Sequence, residues 1–334
     1  SNVGIVMKIK VCIFFVCLLL PLLANASNFE NVALVSVSTQ YDEQKLDKIK
    51  SKLEKVGYKV TDQYLHQVVS DLGYVDNDYS RAKNLINALL DDDVEVIWFV
   101  RGGGGGFNLI PYLYKEVERL KSAKPKVLVG FSDVTAIHSF VNEYLKWDSL
   151  HSVVASYNKD MKDPDDIAIS TNDLEPLPNI ANILKSGISY NDVIPLNDIA
   201  NKGVTGELRG GNLTLVAASF ATKFEPKFTD KVLLLEDVGT SFRQLDRSLQ
   251  QILFMNKIDV NAIVFGQFYP LDPTDEQRLI YKSVIQRFAD NWGKPVYYYP
   301  FIGHGRLNNP VILGEKVTIT CDDEKVGYCN LSQK

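Results

Sequence analysis

Three short segments of the chain hold residue types that together could cleave an amide bond. They are a serine in Val129-Gly130-Phe131-Ser132-Asp133-Val134-Thr135, a histidine in Phe301-Ile302-Gly303-His304-Gly305-Arg306, and a glutamate in Leu235-Glu236-Asp237-Val238-Gly239. Ser132 follows an apolar strand-like run, and helical periodicity continues from Val134 through Leu145. A serine at such a strand-to-helix turn can hold its hydroxyl exposed, with the next amide N–H aimed where an oxyanion would form. The match to G-x-S-x-G is partial, and a serine that N-caps the following helix explains the segment equally simply. On this segment alone the cap is the better reading.

A serine nucleophile needs a base, and the chain has four histidines: His66, His138, His151 and His304. His66 lies in a polar stretch and His138 on the helix after Ser132. His304 sits between two glycines just after a strand, where loops carry function, and is the best placed. Glu236 ends an apolar run at a glycine turn; an orienting carboxylate and a solvated turn acid are equally good accounts of it.

The run Arg101-Gly102-Gly103-Gly104-Gly105-Gly106 follows another apolar strand. It lacks the Gly-Lys-Ser/Thr of a P-loop, and any glycine run satisfies G-x-G-x-x-G, so a nucleotide cradle is poorly supported. Close backbone approach to a ligand, as in an oxyanion hole, and a plain flexible loop both remain open. No metal or cofactor is expected, because the cysteines stand apart from the histidines.

These segments need a scaffold. The 334 residues, 46% hydrophobic and 23% charged, suit one large core or two smaller ones, and a net charge of -5 argues against nucleic acid as partner. From Val32 to Val129 short apolar runs alternate with helical patterns at about 43–55, 81–90 and 111–121. That alternation predicts a parallel α/β sheet, giving an N-terminal domain over 27–157. Residues 158–203 are rich in Asp, Asn and Pro and read as a connection with one helix near Ile180–Lys185. A second, C-terminal α/β domain over 204–334 follows, with strands near 232–235, 262–265, 296–299 and 317–319 and helices near 242–254 and 274–291.

The N-terminal 26 residues read as a signal peptide. Lys8 and Lys10 precede the apolar run Val11–Leu23, and Ala24-Asn25-Ala26 supplies a cleavage site before Ser27. The run is too short for a stable membrane anchor, so a periplasmic or secreted location is expected. Cleavage would remove Cys12 and Cys17, leaving Cys321 and Cys329, which in an oxidising compartment could pair.

Taken in order, five segments resemble the LD-carboxypeptidase family of serine peptidases, which includes the microcin C self-immunity peptidases. Arg101-Gly102-Gly103 with Asn108-Leu109-Ile110-Pro111-Tyr112-Leu113 resembles its R-G-G…L-L-P-Y-L segment. Gly130-Phe131-Ser132-Asp133-Val134-Thr135-Ala136 resembles G-[FY]-S-D-[IV]-T-A, and Gly206-Glu207-Leu208-Arg209-Gly210-Gly211-Asn212-Leu213 resembles G-x-L-x-G-G-N-L. Leu235-Glu236-Asp237-Val238-Gly239 with Arg243 and Asp246-Arg247 resembles L-E-D-V-G…Y-R-I-D-R, and Gly303-His304-Gly305 resembles the G-H-G region.

The resemblance implies a Ser132–His304–Glu236 triad in an interdomain cleft, an oxyanion hole from the backbone N–H groups of Gly103 and Asp133, and a homodimer. It implies a murein peptide substrate, whose terminal carboxylate Arg101 or Arg243 could bind. Another amide, such as the acyl-adenylate handled by the immunity peptidases, and a non-catalytic cell-wall-fragment binding module are the alternatives. Two departures fall on the substrate pocket: Gly104–Gly106 stand where a bulky residue is usual, and Leu150-His151-Ser152-Val153-Val154 keeps only the histidine of H-G-P-M.

Overall fold

A computed structural model of the chain describes residues 28–156, 177–255, 258–305, 307–322 and 326–334. The leader read over residues 1–26, including Cys12 and Cys17, lies outside them.

The N-terminal half is a parallel sheet wrapped by helices. Its elements run β1 (Asn31–Val35), α1 (Leu46–Lys55), β2 (Lys59–Thr61), α2 (Asp78–Leu90), β3 (Val96–Phe99), α3 (Ile110–Lys115), α4 (Val117–Lys121), β4 (Val127–Gly130), α5 (Thr135–Phe140) and β5 (Ser149–His151). β1, β3 and β4 are nearly all apolar because both faces of the sheet are covered. The pattern read as one helix over 111–121 is two short helices.

After α6 (Ile180–Ser186) come β6 (Ile188–Pro195), β7 (Val204–Asn212), α7 (Leu213–Ser219), β8 (Val232–Glu236), α8 (Phe242–Phe254), β9 (Ala262–Phe265), α9 (Asp275–Trp292), β10 (Val296–Tyr298), β11 (Val311–Leu313), β12 (Lys316–Cys321) and β13 (Cys329–Gln333). Seven of these strands close a barrel in the order β10-β6-β13-β12-β7-β8-β9. The segment read as a connection therefore already supplies a barrel strand, β6, whose pattern hid it: of its eight residues only Val193 is buried. α8 and α9 each begin with a reciprocal capping box, from Ser241 with Gln244 and from Thr274 with Gln277.

Period-2 geometry explains the unbroken apolar run of β8. Val232 and Leu234 pack in one core with Val264 and Tyr297, while Leu233 and Leu235 pack in another with Leu245, Leu249 and Phe288 of the covering helices. Cys321 and Cys329 face each other across β12 and β13 and are joined by a disulfide.

The halves share one strand. β11 pairs antiparallel with β5, so the N-terminal sheet has the order β11-β5-β4-β3-β1-β2. Ile312 is buried in the core of that sheet, whereas Val311 and Leu313 belong to the barrel core. Among the described residues no helix is long and apolar enough to cross a membrane.

Candidate active site

The site lies where the C-terminal ends of β4 and β8 meet. β4 ends at Gly130; Phe131 is extended (φ -151°, ψ -173°) and Ser132 is left-handed at φ +67°. A non-glycine residue in that region costs about 1–2 kcal/mol, and such strain persists where surroundings enforce it. Here the enforcement is crowding. A Cβ at Gly130 would lie 2.9 Å from Val134 Cγ2, and one at Gly102 would lie 3.1 Å from Ser132 Cβ. The glycine run thus packs directly on Ser132, and at Gly103 (φ +112°) a Cβ would fall 2.0 Å from Thr39 Oγ1.

Ser132 is not a helix cap. Phe131 occupies the cap position of the turn at Ser132–Val134, with no side-chain capping bond. The serine Oγ lies instead 3.0 Å from His304 Nε2, and His304 Nδ1 lies 2.7 Å from Glu236 Oε2. With the glutamate ionised, Nδ1–H donates to Oε2, leaving Nε2 to accept from the Ser132 hydroxyl. The three side chains singled out from the sequence thus form one continuous chain of hydrogen bonds.

Glu236 is fully buried. Burial opposes its charge, but the His304 and His151 imidazoles beside it outweigh that and hold its carboxyl at about 2. His304, with 13% of its side chain exposed, has its pKa raised: burial works against the cation, and the Glu236 carboxylate overrides it. Glycines make room for the pair. A Cβ at Gly303 would lie 2.6 Å from Glu236 Oε2, and one at Gly266 would lie 3.0 Å from Glu236 Cβ.

Several supporting residues were not legible as such. Gly303 N–H donates to the buried Asn308 Oδ1 (3.0 Å), pinning the loop that carries His304. Thr135, on the helix after Ser132, accepts from Asn212 N–H of β7 (3.0 Å). Asn212 Nδ2 then donates to Asp237 (3.1 Å), next to Glu236, and Thr214 donates to the same carboxylate through N–H and hydroxyl. This buried polar link ties the serine-bearing half to the glutamate-bearing half. It requires Gly211, where a Cβ would lie 2.7 Å from Thr135 Oγ1. The Gly210-Gly211-Asn212 motif was the available signal.

Asp133 is anchored through its side chain. Its buried carboxylate accepts from Ser38 Oγ (2.5 Å) and Gly106 N–H (2.8 Å), fastening the glycine run to the turn after Ser132. Burial raises its pKa against those bonds. Arg81, also buried, donates to Gly105 O (2.7 Å) and Val37 O (2.6 Å), so the glycine loop is held from both sides.

The other histidines separate cleanly. His66 is largely exposed and pairs with Asp76 (3.2 Å). His138 is buried between Ser149 Oγ (2.7 Å) and Gly130 O (2.9 Å), and burial lowers its pKa to about 3, which keeps it neutral. His151 is buried with Nε2 3.9 Å from Glu236 Oε1. Arg101 donates to Gln40 O (2.5 Å), and Arg243 sits exposed in the first turn of α8 with its guanidinium over Phe242. Among the described residues no cluster of His, Cys, Asp and Glu could hold a metal ion.

A relay of hydroxyl, imidazole and buried carboxylate is an arrangement that recurs on unrelated folds, so family has to come from the whole chain. Residues 32–152 match the LD-carboxypeptidase N-terminal domain, and residues 205–319 match the LD-carboxypeptidase C-terminal domain. The chain belongs to the LD-carboxypeptidase family. It is a serine-type carboxypeptidase.

A putative carboxypeptidase of Rickettsia conorii is 35% identical over 244 residues, covering 71% of each chain. The murein tetrapeptide carboxypeptidase of Pseudomonas aeruginosa is 28% identical over 234 residues, 68% of this chain and 73% of that one. In three dimensions the muramoyltetrapeptide carboxypeptidase of Oxalobacter formigenes superposes with a TM-score of 0.72 at 20% identity, covering 91% of this chain and 98% of that one. That likeness establishes the shared two-domain α/β fold.

Proposed function

We propose that this LD-carboxypeptidase is exported and hydrolyses the amide bond between an L-centre and the terminal D-alanine of murein tetrapeptides. The reading rests on one observation above all: Ser132 Oγ, His304 and Glu236 are linked at 3.0 and 2.7 Å by side chains from opposite halves of the chain. The name of the Pseudomonas aeruginosa relative supplies the substrate class.

In this mechanism Ser132 Oγ attacks the carbonyl carbon while His304 Nε2 takes the hydroxyl proton. The carbonyl oxygen becomes an oxyanion facing the amides of Asp133 and Gly103, each worth about 10²–10³ in rate. His304 then returns its proton to the leaving nitrogen, the C–N bond breaks, and D-alanine departs, leaving an ester on Ser132. Water, deprotonated by the same imidazole, hydrolyses the ester and restores the serine. Glu236 stabilises the imidazolium in both halves of the cycle without itself being protonated.

Export is supported by Lys8, Lys10, the apolar run to Leu23 and Ala24-Asn25-Ala26, together with the disulfide between Cys321 and Cys329. The decisive experiment gives the protein starting at Ser27 a murein tetrapeptide and follows D-alanine release by mass spectrometry. Release that persists undiminished in Ser132→Ala rejects the nucleophile. Turnover of an acyl-adenylate but not the tetrapeptide replaces the substrate, and failure of a serine-reactive probe to label Ser132 turns the reading towards a binding module.

A further inference from the structure

Glu236 uses one carboxylate oxygen on His304; its other oxygen, Oε1, meets no protein hydrogen-bond partner although the residue is fully buried. Facing it is His151, at the end of β5, also fully buried and with neither ring nitrogen partnered. The two atoms, Nε2 and Oε1, are 3.9 Å apart. Complementary buried groups left unpaired are rare, because each forfeits its hydration without replacement.

We propose that His151 is a positioning residue for Glu236, extending the relay to Ser132–His304–Glu236–His151. A closure of about 1 Å brings Nε2–H within ordinary donor range of Oε1. The carboxylate is then held at both oxygens, which fixes its plane and keeps Oε2 aimed at His304 Nδ1. The Phe131 ring sits beside both imidazoles, with centroids 6.0 Å from His151 and 4.7 Å from His304. On the β7 side, a Cβ at Gly211 would come within 3.3 Å of His151 Cδ2, so the ring has its seat where a side chain would crowd it. Other titratable neighbours are Asp237, next to Glu236 and hydrogen-bonded to Asn212 and Thr214, and His138 on α5, held neutral by its burial between Ser149 and Gly130. A ring serving only to fill space needs no nitrogen facing a carboxylate; phenylalanine would do.

This inference rests on the serine-hydrolase reading above, and the test separates the two. His151→Phe keeps the ring's bulk without a donor, and His151→Gln keeps a donor without a ring. The first readout needs no substrate: the low-field proton resonance of His304 Nδ1–H, identified by its upfield shift in Glu236→Gln. It should move upfield or broaden in His151→Phe and return towards the wild-type position in His151→Gln. With tetrapeptide, His151→Phe should lose up to about 10²-fold in kcat at unchanged KM, the scale of a misplaced reacting group, and His151→Gln should restore most of it. A wild-type resonance and wild-type kcat in His151→Phe overturn the proposal, as does equal loss in both variants. Should His151→Phe fail to fold, His151→Met is the donor-free comparison. If the wild type releases no D-alanine, the substrate reading fails while the resonance still decides the role of His151.

Discussion

The two halves of the molecule bring their reactive groups to the same point by different physical means. The open parallel sheet presents Ser132 through backbone: a left-handed φ of +67°, enforced by glycines at 102 and 130 that let neighbouring chain press close. The closed barrel presents Glu236 and His304 through burial and charge, with a fully buried carboxylate kept ionised by imidazoles beside it. One half relies on geometric strain and the other on electrostatic stabilisation of a buried charge. A nucleophile needs a direction, which backbone supplies; a base needs a proton affinity, which its neighbours supply.

That contrast can be broken most forcefully at the reactive atoms. Ser132→Ala should lower kcat by about 10⁶-fold, whereas Glu236→Gln should cost nearer about 10⁴-fold, since removing the orienting acid leaves nucleophile and base in place; rates of D-alanine release check both. Next comes the glycine loop. Gly103→Ala puts a methyl group where Thr39 Oγ1 lies 2.0 Å away and at a left-handed φ, so the Gly103 amide must shift. A loss of about 10²–10³ in kcat, the worth of one oxyanion donor, is expected with the barrel side untouched.

Stability separates the halves further. Ser132→Gly should be more stable than Ser132→Ala by about 1 kcal/mol in chemical denaturation, because only glycine relaxes at positive φ. Equal stabilities would mean that Ser132 is unstrained. The smallest effect is on the barrel side and is read in pH. In the proposed mechanism His304 must be neutral to accept the serine proton, and its pKa is raised above 6.5 by Glu236. The acid limb of kcat/KM should therefore lie above that value, with activity falling as pH drops through it. In Glu236→Gln the residual limb should move to lower pH, the raising charge being gone.

The same contrast decides what could be read from sequence. β1, β3, β4, β8 and β9 are short unbroken apolar runs because both of their faces are buried, and they stood out. β6 and β13 did not, since barrel strands with one face near solvent read as mixed polar segments: Ser189, Asn191 and Asp192 lie within β6, and Asn330 and Ser332 within β13. Ser132, His304 and Glu236 were each ambiguous alone and became a set only through the ordered motifs around them. The strain at Ser132 leaves no mark in residue type, which is why its own segment favoured a cap. His151 was visible as a surviving histidine but not as a neighbour of Glu236, because the two meet only when β5 and β8 converge across the halves.

β11 carries a last implication. Its three residues serve two masters, Ile312 facing one core and Val311 and Leu313 the other. Cutting the polypeptide between Ser156 and Leu177 would therefore not yield two autonomous pieces. The amino-terminal fragment would expose the edge of β5 and an unfilled apolar socket, and would remain sticky until its carboxy-terminal counterpart supplied the missing strand. Co-produced fragments should reassemble into an active particle, and neither should be well behaved by itself.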